Sequence, residues 1–169
     1  MKKLFLILLL GIIACDQNEL EGNCTQEGFL STITTDQKIE KVFNTELQKN
    51  VFSITNGNQL LLTYTHVGAQ CDDIIDDEWG EQLFFEIDSE ITAFDLNDDE
   101  ILTTNCFYRE FGAWVSHEQI EVNKGRIDGV KISETQWDIN VSVEVTSSIS
   151  NTPKLIEFSR IYTVLVLVD

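Results

Sequence analysis

The chain is poor in proline, histidine and positive charge. One proline and nine glycines among 169 residues exclude polyproline, collagen-like and flexible-repeat architectures. Eleven lysines and arginines stand against 29 acidic residues, a formal net charge of −18. Phosphate binding needs a basic face, so nucleic acid is excluded as a partner. Only His66 and His117 are available as imidazole bases or ligands. The G-x-S-x-G, H-E-x-x-H and G-x-x-x-x-G-K-[ST] patterns are absent. Carboxylate pairs are too abundant for a glycosidase assignment to mean anything. The expectation is a non-enzymatic domain.

No apolar run is long enough to cross a bilayer. The longest, Leu4 to Ile13, covers ten residues, and about 1.5 Å of rise per residue gives roughly half of a ~30 Å hydrocarbon core. It follows Met1-Lys2-Lys3, so a positive n-region and a short h-region make an export signal. The next positions, Ile12-Ile13-Ala14-Cys15, match a branched apolar residue, a tolerant position, a small residue and cysteine.

This segment resembles the lipobox of bacterial lipoproteins. The resemblance implies cleavage after residue 14, a diacylglyceryl thioether on Cys15, and a membrane partner reached through that lipid. Several acyl chains, at about 0.8 kcal/mol per buried CH₂, anchor a protein where one chain does not. Residues 15–28 then read as an acidic tether, and 29–169 as a single β domain. Asp16 directly after the cysteine resembles an inner-membrane retention signal. Glu19 and Glu21 resemble the acidic surface-export signals of some Gram-negative lipoproteins and favour the outer membrane. The general look is that of a small Gram-negative envelope lipoprotein. Removing the signal takes two bases and no acid, leaving nine bases against 29 acids. An anionic lipid surface repels such a domain.

With Cys15 lipidated, Cys24, Cys71 and Cys106 remain for one disulfide and one odd thiol in an oxidising compartment. Sequence does not choose among the three pairings. Cys71 with Cys106 is favoured, because Cys24 lies near the tether. The spacings lack C-x-x-C, which argues against zinc.

From residue 29 the periodicity is that of strands. Trp137, Ile139, Val141, Val143 and Val145 alternate with polar residues, the signature of a half-buried strand. Leu155 to Val168 reads as a long final strand whose end, with Tyr162, Val164, Val166 and Val168 on one parity and Leu165 and Leu167 on the other, is buried on both faces or belongs to a central strand. Asn56-Gly57 between two β-rich runs predicts a type I′ hairpin. In Asp36 to Asn50, Ile39, Val42, Phe43 and Leu47 fall at helical spacing, and one short helix is expected there. The fold class is therefore all-β: an antiparallel sandwich or flattened barrel of about eight or nine strands, with a helix near 36–50.

Two acidic stretches are candidate cation sites. The loop Cys71 to Glu81 carries Asp72, Asp73, Asp76 and Asp77, and paired carboxylates of this kind supply the oxygens that Ca²⁺ takes. Asp95, Asn97 and Asp99 open like a calcium loop, but Glu100 and Cys106 stand where Gly and a bidentate Glu belong. Solvated acidic loops are the commoner outcome, so no cofactor is expected beyond a candidate Ca²⁺. Both histidines are expected at the surface. The aromatics from Phe107 to Trp114 cannot all face one core, and Trp79 is a further candidate for an exposed ring. A non-enzymatic binding or interaction module is expected, its partner a protein or a glycan. Its competitors are a calyx for a small apolar ligand and a calcium-stabilised module for a glycan.

Overall fold

A computed structural model describes residues 24–72, 74–75, 77–116 and 118–165. The signal, Cys15, Asp73, Asp76, His117 and residues 166–169 lie outside the described residues. No described helix is long and apolar enough to cross a membrane.

The protein is all-β. Its strands are β1 (Gly28–Asn44), β2 (Lys49–Asn56), β3 (Gln59–Val67), β4 (Trp79–Asp88), β5 (Ala93–Asn97), β6 (Phe107–Gly112), β7 (Gln119–Glu121), β8 (Gly125–Ser133), β9 (Gln136–Thr146) and β10 (Pro153–Leu165). Nine of them run in the order β5-β8-β9-β10-β1-β3-β4-β6-β7, and β2 pairs with β1 alone. The sheet curls into a half-barrel. It is mixed rather than purely antiparallel, because β1 and β10 pair in parallel through Thr32–Thr163 and Thr34–Leu165.

The concave side holds the main core. Alternation in each strand sends one parity inward: Leu60, Leu62 and Tyr64 from β3, Leu83, Phe85 and Ile87 from β4, and Trp137, Ile139, Val141, Val143 and Val145 from β9. Side chains from opposite walls meet at its centre. Phe85 lies edge-on to Tyr162 with centroids 6.4 Å apart, and Phe94 reaches Trp137 at 6.0 Å.

The expected helix near 36–50 is instead the outer half of β1, a turn, and β2. Asn44 decides the local structure. Its Oδ1 accepts the backbone N–H groups of Glu46 (2.9 Å) and Leu47 (3.0 Å), a side-chain turn that competes with a helix. Gln48, at φ 53°, completes the reversal. Of the four residues at helical spacing only Ile39 is buried; Val42, Phe43 and Leu47 are exposed.

The expected Asn56-Gly57 hairpin is also displaced. β2 and β3 both run antiparallel to β1, so the chain between them continues in one direction. Neither Asn56 nor Gly57 has the positive φ that a type I′ turn needs. Gly57 serves a bend: its N–H bonds to the Asp36 carbonyl at 3.0 Å, and a Cβ there would stand 2.6 Å from the Lys38 side chain. On the facing strand the register shifts between Thr34 and Gln37, with Asp36 at φ 58°. Asp tolerates that conformation better than most residues. Past this bend, residues 37–56 form a two-stranded arm.

The arm lies on the convex face of β3, β4 and β6. Ile39 and Phe52 pack on Leu61, Phe84 and Phe107 as a second core, and Phe107 stacks on Phe52 at 4.8 Å and on Phe84 at 4.7 Å. The backbone N–H of Ile39 bonds to the Glu86 carboxylate. At the far end, the Gln119 side chain accepts from the Phe52 N–H at 2.9 Å and donates to the Phe52 carbonyl at 2.8 Å. An amide side chain thereby pairs with an edge strand as a neighbouring strand does, which blunts the edge.

Candidate functional site

The arm divides the convex face into two regions. Over β3, β4 and β6 it is covered. Over β8, β9, β10 and β1 it is open, and there Leu30 (61% exposed), Val130 (54%) and Ile161 (47%) stand in solvent beside exposed Ile132 and Leu165. The register gathers them. Asp138 of β9 pairs with Val130 on one side and Ile161 on the other. The parallel pairing of Thr32 with Thr163 sets Leu30 level with Ile161, and Leu165 faces Thr34 directly. The final strand is central, one of the two readings its sequence allowed, and its outer face is bare as far as Leu165; residues 166–168 lie outside the described residues.

Charge on this open region is uneven. Arg126 is held by Asp95 at 2.8 Å and lies 3.4 Å from Asp128, while Lys124 reaches Glu144 at 3.3 Å. Asp138 and Glu157 form no ion pair among the described residues. Asp138 is half-buried between two apolar side chains, a position where an unanswered carboxylate is costly.

A second cluster lies on the concave side, at the end where β1 begins. Pairing places His66, Glu81 and Glu110 in one row across β3, β4 and β6. Glu81 is 6% exposed and Glu110 1%. The Tyr108 hydroxyl stands between them, 2.7 Å from Glu81 and 3.0 Å from Glu110. Having one proton, it donates to the nearer. Glu81 also receives Lys154 and stands 3.1 Å from Nδ1 of His66. Glu110 accepts from the Ser148 N–H (2.9 Å), the Ser148 hydroxyl (2.6 Å) and the Ser147 hydroxyl (3.0 Å). Burial opposes the charge on Glu110, but the bonds donated by Ser148 and Ser147 outweigh it and hold its carboxyl below the ordinary range. Burial, and then the bond to Glu81, push the Tyr108 hydroxyl well above its usual value.

The row ties opposite walls of the half-barrel together. Lys154 and the β9–β10 loop come from one side, β4 and β6 from the other. Lys154 covers the Trp79 ring at 4.9 Å, and His66 meets Trp79 edge-on at 5.4 Å. Nε2 of His66 is 3.4 Å from Glu27 without hydrogen-bond alignment, and Trp79 Nε1 is buried without a partner. His66 is therefore mostly buried, contrary to its expected surface position. A sign of this cluster was present in the sequence: Glu81 shares parity with Leu83 and Phe85, and Glu110 with Tyr108, so both acids occupy core positions.

The cysteines pair differently from expectation. Cys24 is bonded to Cys71, and Cys106 is a buried free thiol whose titration burial pushes far upward. Cys106 belongs to the concave core beside Ile101 and Tyr108, while Cys71 sits in the β3–β4 loop. Chain 24–27, expected to be tether, is fastened there, with Thr25 N–H on the Gln70 carbonyl at 2.7 Å.

The acidic stretches are drawn apart. Asp77 accepts from the Cys71 N–H at 2.6 Å, Asp72 is exposed, and Asp73 and Asp76 lie outside the described residues. In the second stretch Asp95 holds Arg126, Asp98 accepts from the Gly125 N–H at 2.9 Å, and Glu100 accepts from the Asn97 N–H at 3.0 Å. A 3-10 helix, Asp98–Thr104, replaces the calcium-type loop. Among the described residues no three His, Cys, Asp or Glu side chains converge as metal ligands. The aromatic run splits by parity: Phe107 lies under the arm, Tyr108 in the concave core, and Trp114 in solvent.

No family model, curated protein or solved structure matches this chain at a significant level. The comparisons assign no family. The candidate site therefore rests on the geometry, and the open convex region is the strongest feature.

Proposed function

We propose that the chain is a lipid-anchored, non-enzymatic interaction module of a bacterial cell envelope, held at the outer membrane through Cys15. One observation carries the interaction reading: on one sheet face Leu30, Val130, Ile161 and Leu165 stand bare around the polar outward positions of β9, while the neighbouring region is covered by the chain's own arm. Several exposed aliphatic side chains gathered on one face of an acidic protein suit a partner site. The filled concave core weighs against a calyx for a small ligand. The buried Glu81–Tyr108–Glu110 row lies behind Lys154 and the β9–β10 loop, which suits a structural strut better than a catalytic pair.

The anchor follows from the lipobox resemblance, and the disulfide sets its geometry. Cys24 lies nine positions after Cys15, a span of at most about 30 Å when fully extended. The anchor would therefore lie within that distance of the end of the half-barrel bearing Cys71. The test is metabolic labelling with an alkyne fatty acid in cells making the full chain. Label is expected on the mature protein in the membrane fraction and absent from Cys15→Ser. Equal labelling of the two, or a soluble wild-type chain, contradicts the anchor.

A further inference from the structure

The open convex region has a recognisable chemical preference, and this deepens the interaction reading on which it rests. We propose that it docks a basic polypeptide segment whose Lys or Arg reaches Asp138 between Val130 and Ile161. Three observations favour that occupant. Asp138 is half-buried, flanked in register by two exposed apolar side chains, and forms no ion pair among the described residues. Two cations on this face, Arg126 and Lys124, are already engaged with Asp95, Asp128 and Glu144. The chain as a whole carries −18. A second copy would bring like charge against like charge, Asp138 and Glu157 on both sides, and anionic lipid would do the same. A segment with a cation among apolar residues matches the apolar groups and answers the carboxylate together.

The experiment places a photoreactive amino acid at Val130, Ile161 or Leu30 of the full lipidated chain, in the cells that make it. Crosslinked peptides are then sequenced by mass spectrometry. The proposal expects a polypeptide crosslink from all three positions to a segment carrying Lys or Arg. Asp138→Asn should lower its yield about tenfold or more, as loss of a desolvated charge pair does. Its melting temperature should not fall, and charge reversal of the partner's basic residue should rescue Asp138→Lys. A crosslink to a segment without a basic residue, or one indifferent to Asp138→Asn, overturns the basic partner while leaving the docking reading intact. Crosslinks to a second copy or to lipid overturn the proposal as well. Silence at all three positions overturns both the proposal and the interaction reading.

Discussion

The covered and open regions of the convex face are made of similar strands but carry different outward residues. Beneath the arm the outward positions are Leu61, Phe84 and Phe107, large groups that meet Ile39 and Phe52 in a dry second core. In the open region the outward positions of β9 are Asp138, Asn140, Ser142 and Glu144, and apolar groups appear only at β8, β10 and β1. The first pattern is self-sufficient. The second mixes exposed aliphatic groups with unanswered acids, a surface that gains nothing for the isolated fold. Stability and the proposed recognition are thus separated on one face of one sheet.

The sharpest way to break this comparison is to truncate one side of it. Phe107→Ala, beneath the arm, should cost about 3–5 kcal/mol by chemical denaturation, because it opens a cavity between two stacked rings. Ile161→Ala and Leu30→Ala, on the open side, should fall within about 1 kcal/mol of wild type. Equal losses on both sides would erase the distinction.

Next in size is the Cys24–Cys71 bond. Its removal in Cys24→Ser/Cys71→Ser should lower stability by about 2–4 kcal/mol, with the arm's own packing untouched. A similar loss from Cys106→Ala would have a different cause, a cavity in the concave core.

The buried row gives a pH dependence with a defined sign. Glu110 has a folded-state carboxyl below its unfolded value, so its contribution is complete at neutral pH. It is lost as the pH falls below the unfolded carboxyl range, about 4.3, and through the folded value. Glu110→Gln should flatten that part of the stability–pH curve and cost about 1–3 kcal/mol at pH 7, since buried donors lose their acceptor. An acid limb identical to wild type would remove Glu110 from the account.

Smallest is the arm's edge. Gln119→Ala removes two hydrogen bonds to Phe52 and should cost about 1 kcal/mol, read most directly as faster amide exchange at Phe52. Unchanged exchange would show that the second core alone seats the arm.

Much of the concave wall was legible in the sequence because one face of it meets solvent. Residues 137–146 alternate apolar and polar groups for that reason alone, and β9 spans Gln136–Thr146. The arm was not legible. Ile39, Val42, Phe43 and Leu47 imitate a helical face by spacing, whereas only Ile39 is buried and Asn44 turns the chain. Asn56-Gly57 suggested a turn, and a bend uses the same permissiveness for another purpose. The disulfide depended on the β3–β4 loop returning to the start of β1, a long-range fact that cysteine spacing does not encode. The bareness of β10 depended on where the arm lies, which apolar residues on both parities do not encode; they allowed burial on both faces or a central strand, and the strand is central. Glu81 and Glu110 were legible in principle, as acids on a core parity.

The most direct test of the central claim is carbene footprinting of the full chain, once purified and once in its native envelope. The account predicts strong labelling of Leu30, Val130 and Ile161 in the purified protein and protection of all three in the envelope. Leu61, Phe84 and Phe107 should stay unlabelled in both. Equal labelling of Leu30, Val130 and Ile161 in the two settings, or labelling of the residues beneath the arm, would contradict it.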